Sequence, residues 1–361
     1  MAANRNRDGE KGAFSILLAL SLVVIIGAAA LAIDLGYMLV VRSELQNVAD
    51  TGAMAADRKL AQLYETNNAS SGWGTYVLSS GDRSTIESAV NSLTQANKAG
   101  GKAISVISSD FTYGKYNTTS HDIVATSPAY TGVLGIKVEA RRDASANGVL
   151  STLLARVLGI QSMSVHATSG ASLSALGSVP AGTGLGIPVG IDQDWFAAHP
   201  GACGHRDKSG HGIRLYPATT ASCAGWHTFT DSPASAARLG KIIDGLKDGS
   251  YTTPATTANS TYYQFTNGTI DTDFNNLNNL FQQKKGTDGT WTTLIPVYKS
   301  NSCNPPNGQQ LIVGFATIWI YDVGSSPNKH MDVTVDCNVV DYGTGGGNDY
   351  GTLMGLPGMV E

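Results

Sequence analysis

Apolar residues fill positions 12 to 33, and no charge occurs between Lys11 and Asp34. As a helix rising about 1.5 Å per residue, this run spans about 33 Å, enough for a hydrocarbon core of about 30 Å. A helical stripe continues beyond it. Met38, Arg42, Leu45, Ala49, Gly52, Ala56 and Leu63 recur at three- and four-residue steps with one final step of seven, and only Arg42 breaks the stripe. Proline is absent from the first 127 residues. The pattern predicts one helix over residues 13–64, leaving the membrane and projecting roughly 45 Å beyond it. Ala49, Gly52, Ala53 and Ala56 are small enough to let another helix approach closely. The stripe fits a partner helix and the chain's own body equally well.

Residues 65–178 read as a first α+β domain. The run 83–100 has helical spacing at Ile86, Val90 and Leu93, and Gly100-Gly101 end it. Strands are predicted at 102–108, 109–117, 132–144 and 163–175. In the third, Ile136, Val138 and Ala140 alternate with Lys137, Glu139 and Arg141, the period of a half-buried strand. Residues 148–160 read as a short amphipathic helix ending at Gly159. The Pro- and Gly-rich run 178–188 marks a domain boundary.

A second α+β domain is expected over 184–345, followed by a Gly-rich, then apolar tail over 346–361. Residues 223–249 read as a strand turning into a helix, with Asp231 or Ser232 as its cap, Pro233 in its first turn and Gly249 after its end, and a further helix is expected over 271–285. Residues 262–270 read as a hairpin turning at Asn267-Gly268. Three apolar strands follow, and the one beginning at Gln310 is too apolar for an exposed edge. The fold class expected is therefore α+β: a long transmembrane helix followed by two mixed, strand-rich extracytoplasmic domains.

Charge sets the orientation. Arg5, Arg7 and Lys11 precede the apolar run, whereas only Arg42 is basic in the fifteen residues after Ile33. The positive-inside rule puts residues 1–12 in the cytoplasm and the bulk of the chain outside. A cleaved signal peptide is the alternative, with small residues at Ala28–Ala32, but the unbroken helical pattern argues against it. Charged residues make up only 14% of the chain, Gly occurs 42 times, and the net charge is −4. That balance excludes a basic nucleic-acid surface, and the 42% hydrophobic content excludes disorder.

All four cysteines, Cys203, Cys223, Cys303 and Cys337, lie in the second domain. An even number in an exported segment argues for disulfides, and pairing of sequence neighbours, Cys203–Cys223 and Cys303–Cys337, is the preferred connectivity. His199, His205, His211 and His227 fall near Cys203 and Cys223, so zinc is a competing reading. The spacings match no usual zinc motif, and no metal or cofactor is expected. No Gly-x-Ser-x-Gly elbow or phosphate loop occurs, so an enzyme is not expected.

The segment after the apolar run reads IDLGYMLVVRSELQNVADTGAMAA. It resembles the N-terminal segment of TadE/TadG-like proteins of Flp (Tad) pilus assembly. Asp34, Gly36, Arg42, Leu45, Gln46, Asn47, Ala49, Asp50, Ala53, Ala55 and Ala56 stand at matching positions, and Gly52 stands where those proteins more often have Ala. The later strand, helix and strand order over about 75 residues is similar to TadG-like proteins. The Asp-x-Ser-x-Ser site of their von Willebrand A domains is missing its first Ser after both Asp231 and Asp322. Gly12 is followed at the fifth position by Leu17, so prepilin processing is not expected.

The resemblance implies a single-pass inner-membrane protein with a structural or assembly role in the Tad pilus or a related secretion machinery. Its partners would be pilin-like proteins or the assembly platform. Asp34, Gly36, Arg42, Leu45, Gln46, Ala49, Asp50, Gly52, Ala53 and Ala56 would form the partner-facing side of the helix. A pilus-independent anchored adhesin and an anchored extracytoplasmic hydrolase are the rival readings.

Overall fold

The computed structural model describes residues 6–67, 74, 76–199, 212–216, 223–267, 271–300, 303–325, 327–356 and 358–360. The fold is α+β, with one long N-terminal helix followed by strand-rich sheets and shorter helices. The first helix, Asn6–Asn67, holds the whole apolar run and continues without a break through the striped segment. No proline interrupts its hydrogen-bond ladder. It is long and apolar enough to cross a membrane. The strand Phe111–Asn117 pairs antiparallel with Asp122–Ala125. In Gly135–Arg142 the expected alternation holds, with Ile136, Val138 and Ala140 buried and Lys137, Glu139 and Arg141 half-buried.

The chain forms two compact units. One comprises Met1–Ala55, Glu87–Phe111 and Lys137–Gly170. Its core joins Val41, Leu45, Val48 and Ala49 of the long helix to Ala99, Ile104, Ala140, Leu150, Val165 and Ala167. Arg142 is buried there because its guanidinium donates to four carbonyls, those of Ala99, Gly100, Gly148 and Val149.

The other unit comprises Ala56–Ile86, Thr112–Ile136 and Ala171–Glu361. Its centre is a ring of strands in the order Gly308–Gly324, Tyr262–Thr266, Ala224–His227, Val189–Asp192 and Trp291–Tyr298, the last returning to the first. The 17-residue strand Gly308–Gly324 closes the ring. Its first residues pair with Tyr262–Thr266, its middle with Trp291–Tyr298, and its far end with His330–Asp336. Register shifts opposite Val297/Tyr298 and at Ile320/Asp322 give the strand the bends that closure requires. Helices Ala236–Asp248 and Asp271–Lys284 cover one face through Leu239, Ile243, Phe274, Leu277 and Phe281.

Four local expectations are corrected. Residues 148–160 are not a helix: the strand Leu150–Ser151 leads to a single 3-10 turn, Ala155–Leu158, ended by Gly159 in the left-handed region. The cap of Ala236–Asp248 is Ser235, which accepts from the Arg238 N–H, rather than Asp231 or Ser232. Tyr262–Thr266 pairs with strands distant in sequence instead of folding on its neighbour, and Asp271 already begins a helix. Gly268 to Ile270 lie outside the described residues.

The fourth correction is the disulfide pairing. Cys223 is bonded to Cys303, 80 residues away, with Cα atoms 4.3 Å apart. The ring explains this. Cys223 directly precedes the strand Ala224–His227, and Cys303 follows Trp291–Tyr298; both strands flank Val189–Asp192. Sheet pairing therefore brings remote cysteines together. Cys337 is also disulfide-bonded, whereas Cys203, His205 and His211 lie outside the described residues.

Candidate functional site: the N-terminal helix

Asp34 is the first charge after the apolar run, and it is buried. Its carboxylate accepts three backbone N–H groups: Leu153 at 2.7 Å, Leu154 at 2.9 Å and Ala155 at 2.5 Å. Burial works against ionisation, but these three donors and the nearby Arg156 guanidinium hold its carboxyl below the ordinary Asp range. These bonds satisfy N–H groups at the start of the 3-10 turn Ala155–Leu158, as an N-cap would. The helix thus grips a loop more than a hundred residues distant in the chain.

The ten residues expected to face a partner divide. Asp34, Leu45, Ala49, Gly52, Ala53 and Ala56 are buried in the chain's own fold, so the self-packing alternative describes them. Gly36, Arg42 and Gln46 are exposed, and Asp50 is half-buried. A side chain at Gly36 would meet nothing within 4 Å. Gln46 donates to Asp50 Oδ1 at 2.8 Å and to the Thr168 carbonyl at 3.1 Å. The small residues serve an intramolecular approach. A Cβ at Gly52 would stand 3.2 Å from Val138 Cγ1 and 3.3 Å from Val90 Cγ1.

Gly52→Leu is accordingly expected to lose about 1–3 kcal/mol by overpacking. Gly52→Ala should be near neutral, because a helix-propensity gain of up to about 1 kcal/mol opposes the tight contact. Thermal unfolding of the detergent-solubilised chain checks this. Equal melting temperatures for Gly52→Leu and the wild type would refute the close packing.

Two further residues of the helix, Arg58 and Asp57, lie outside those ten. Arg58 donates to Asp341 Oδ1 and to the Gly355 carbonyl, each at 2.7 Å, which ties the distal turns to the C-terminal tail. Asp57 is fully buried, and neither carboxylate oxygen has a hydrogen-bond partner among the described residues. Burial pushes its pKa well above the ordinary Asp value. Asp57 is in phase with Ala53, Leu60 and Tyr64, so the helical period did signal its burial.

Away from the helix, His227 is enclosed by Phe229, Tyr263 and Phe265, with ring centroids 4.6, 4.9 and 5.3 Å away. Its Nδ1 accepts the Phe229 N–H at 3.2 Å, and burial lowers its pKa to about 3. It is a neutral packing residue. Asp322, His330 and Asp332 approach one another, but Asp332 is engaged by both arms of Arg214 at 2.7 Å, and His330 Nε2 lies 2.9 Å from Asp322. The three side chains stand on the adjacent strands Gly308–Gly324 and His330–Asp336 and are engaged by one another and by Arg214. A groove of about 510 Å³ is lined by Trp291, Thr293, Asn338 and Tyr342, with Lys284 as its one charged residue among those described.

Residues 12–62 match the family model described as putative Flp pilus-assembly TadE/G-like. No curated protein and no solved structure matches the chain. The matched stretch is the helix just described: the apolar span, Asp34, and the stripe through Ala56.

Proposed function

We propose that the chain is a membrane-anchored structural component of Tad (Flp) pilus assembly, placed in the inner membrane with its N-terminus in the cytoplasm. The TadE/G-like match on the one helix, among the described residues, that is long and apolar enough to cross a membrane carries the reading. The basic residues before the span and the Cys223–Cys303 bond support an extracytoplasmic body. The role is physical rather than catalytic. Because the small-residue face is already filled, the surface left for pilin-like or platform proteins is the exposed part of the helix, at Gly36 and Arg42.

A photoreactive amino acid at Gly36 or Arg42, in cells that assemble the pilus, tests this. The expected result is capture of a pilin-like or platform protein, which a probe at the buried Gly52 would not give. Capture of no other protein at either exposed position would reject the assembly role and favour a self-contained adhesin.

A further inference from the structure

The segment 149–160 has its polarity inside out. Leu153, Leu154, Val157, Leu158 and Ile160 are exposed, Val157 at 84%. Its backbone polar groups, by contrast, are satisfied internally. Thr152 donates through N–H to the Gln161 carbonyl and through Oγ1 to the Ile160 carbonyl, and the Ile160 N–H returns to the Ala155 carbonyl. The paired strands Leu150–Ser151 and Ser162–Met163 make it the tip of a hairpin. A floppy loop would not spend its hydrogen bonds on holding five apolar side chains in water.

Its position explains the inversion. The three N–H groups of Leu153, Leu154 and Ala155 are bound to Asp34, the residue that ends the uncharged span. A span of about 33 Å crossing a core of about 30 Å leaves Asp34 at the outer boundary of the hydrocarbon. The hairpin tip is therefore held at the level where headgroups meet acyl chains. Between Asp143 and His166 the only charged residue is Arg156, whose guanidinium donates to the Thr152 carbonyl. One cation amid apolar side chains suits an interface with anionic headgroups.

We propose that residues 153–160 are a second membrane contact: an apolar hairpin tip that lies in the outer interface of the bilayer beside the transmembrane helix. Asp34 clamps the tip to the end of the span. Leu153, Leu154, Val157, Leu158 and Ile160 enter the headgroup–acyl boundary, to a depth of about 5–10 Å. The pair would fix the rotation and tilt of the emerging helix, which a single span leaves free. The inference requires the anchor but not the pilus assignment.

The test uses the full chain in liposomes of phosphatidylcholine and phosphatidylglycerol. p-Benzoylphenylalanine replaces Val157, Val24 within the span, or Ser145, which is exposed in the same unit. After irradiation, mass spectrometry should find phospholipid adducts at positions 157 and 24 and none at 145. Adding Leu158→Asp and Leu153→Asp to the position-157 probe should abolish its adduct while the position-24 adduct persists. Adducts at 24 alone, or a crosslink from 157 to a second copy of the chain instead of lipid, would overturn the proposal. Adducts at neither position would overturn the anchor together with it.

Discussion

Replacing the Cys223–Cys303 pair by serines is expected to destabilise the second unit by about 4 kcal/mol in the chain-entropy account of cross-links. The bond spans 80 residues, so the unfolded chain without it gains the freedom of a long loop. The loop contains Ala224–His227, Tyr262–Thr266, both covering helices and Trp291–Tyr298, which are most of the elements that build the strand ring. Urea unfolding of the full chain, oxidised wild type against Cys223→Ser with Cys303→Ser, measures the loss. A midpoint unchanged by the substitutions would contradict the pairing or its energetic role. Sequence-neighbour bridges would instead enclose shorter segments and leave the ring strands uncoupled.

Acid should expose His227. Its folded pKa of about 3 lies below the ordinary 6.5 because the ring is fully buried among Phe229, Tyr263 and Phe265. Above pH 6.5 the imidazole is neutral in both states and contributes no pH dependence. As pH falls below 6.5 the unfolded chain takes up a proton that the native chain refuses, so stability drops until about pH 3. The full shift corresponds to about 4–5 kcal/mol at 1.36 kcal/mol per pKa unit.

Two buried carboxyls act in the opposite direction. Burial raises the pKa of Asp57, and burial with the nearby Asp244 raises that of Asp273 to about 6. Both bind protons more readily in the native state, so each adds stability as pH falls. The difference between wild type and His227→Phe isolates the histidine. Phe keeps the aromatic packing and leaves the Phe229 N–H unpaired by a pH-independent amount. The wild type should weaken relative to the variant from pH 6.5 to 4. Parallel stability curves over that range would show that the ring protonates freely in the folded chain.

Much of the site is legible without coordinates because its signals are local. An uncharged run has only one comfortable solvent, and a stripe at three- and four-residue steps has only one helical face. The motif residues from Asp34 to Ala56 are therefore placed on one helix by their spacing. What that face touches is a different matter. Gly52 looks the same whether Val90 and Val138 or another protein's helix lies against it. Residues 148–160 mislead for a related reason. Their apolar spacing suits a helix, but Asp34 takes the N–H groups of Leu153 to Ala155 and the chain turns back at Gly159.

The chain's local chemistry is enough for the α+β class, for a helix long and apolar enough to cross a membrane, and for the TadE/G-like stretch within it. These depend on residues a few positions apart, whose hydrophobicity and steric preference act before any tertiary contact exists. Only folding decides that Cys223 meets Cys303, that the small-residue stripe is filled from within, and that an apolar hairpin is clamped to Asp34. Each joins segments 80 residues or more apart or depends on which surface arrives first at a given face. Such pairings are set by strand order and shape complementarity across the whole chain, and no local pattern encodes them.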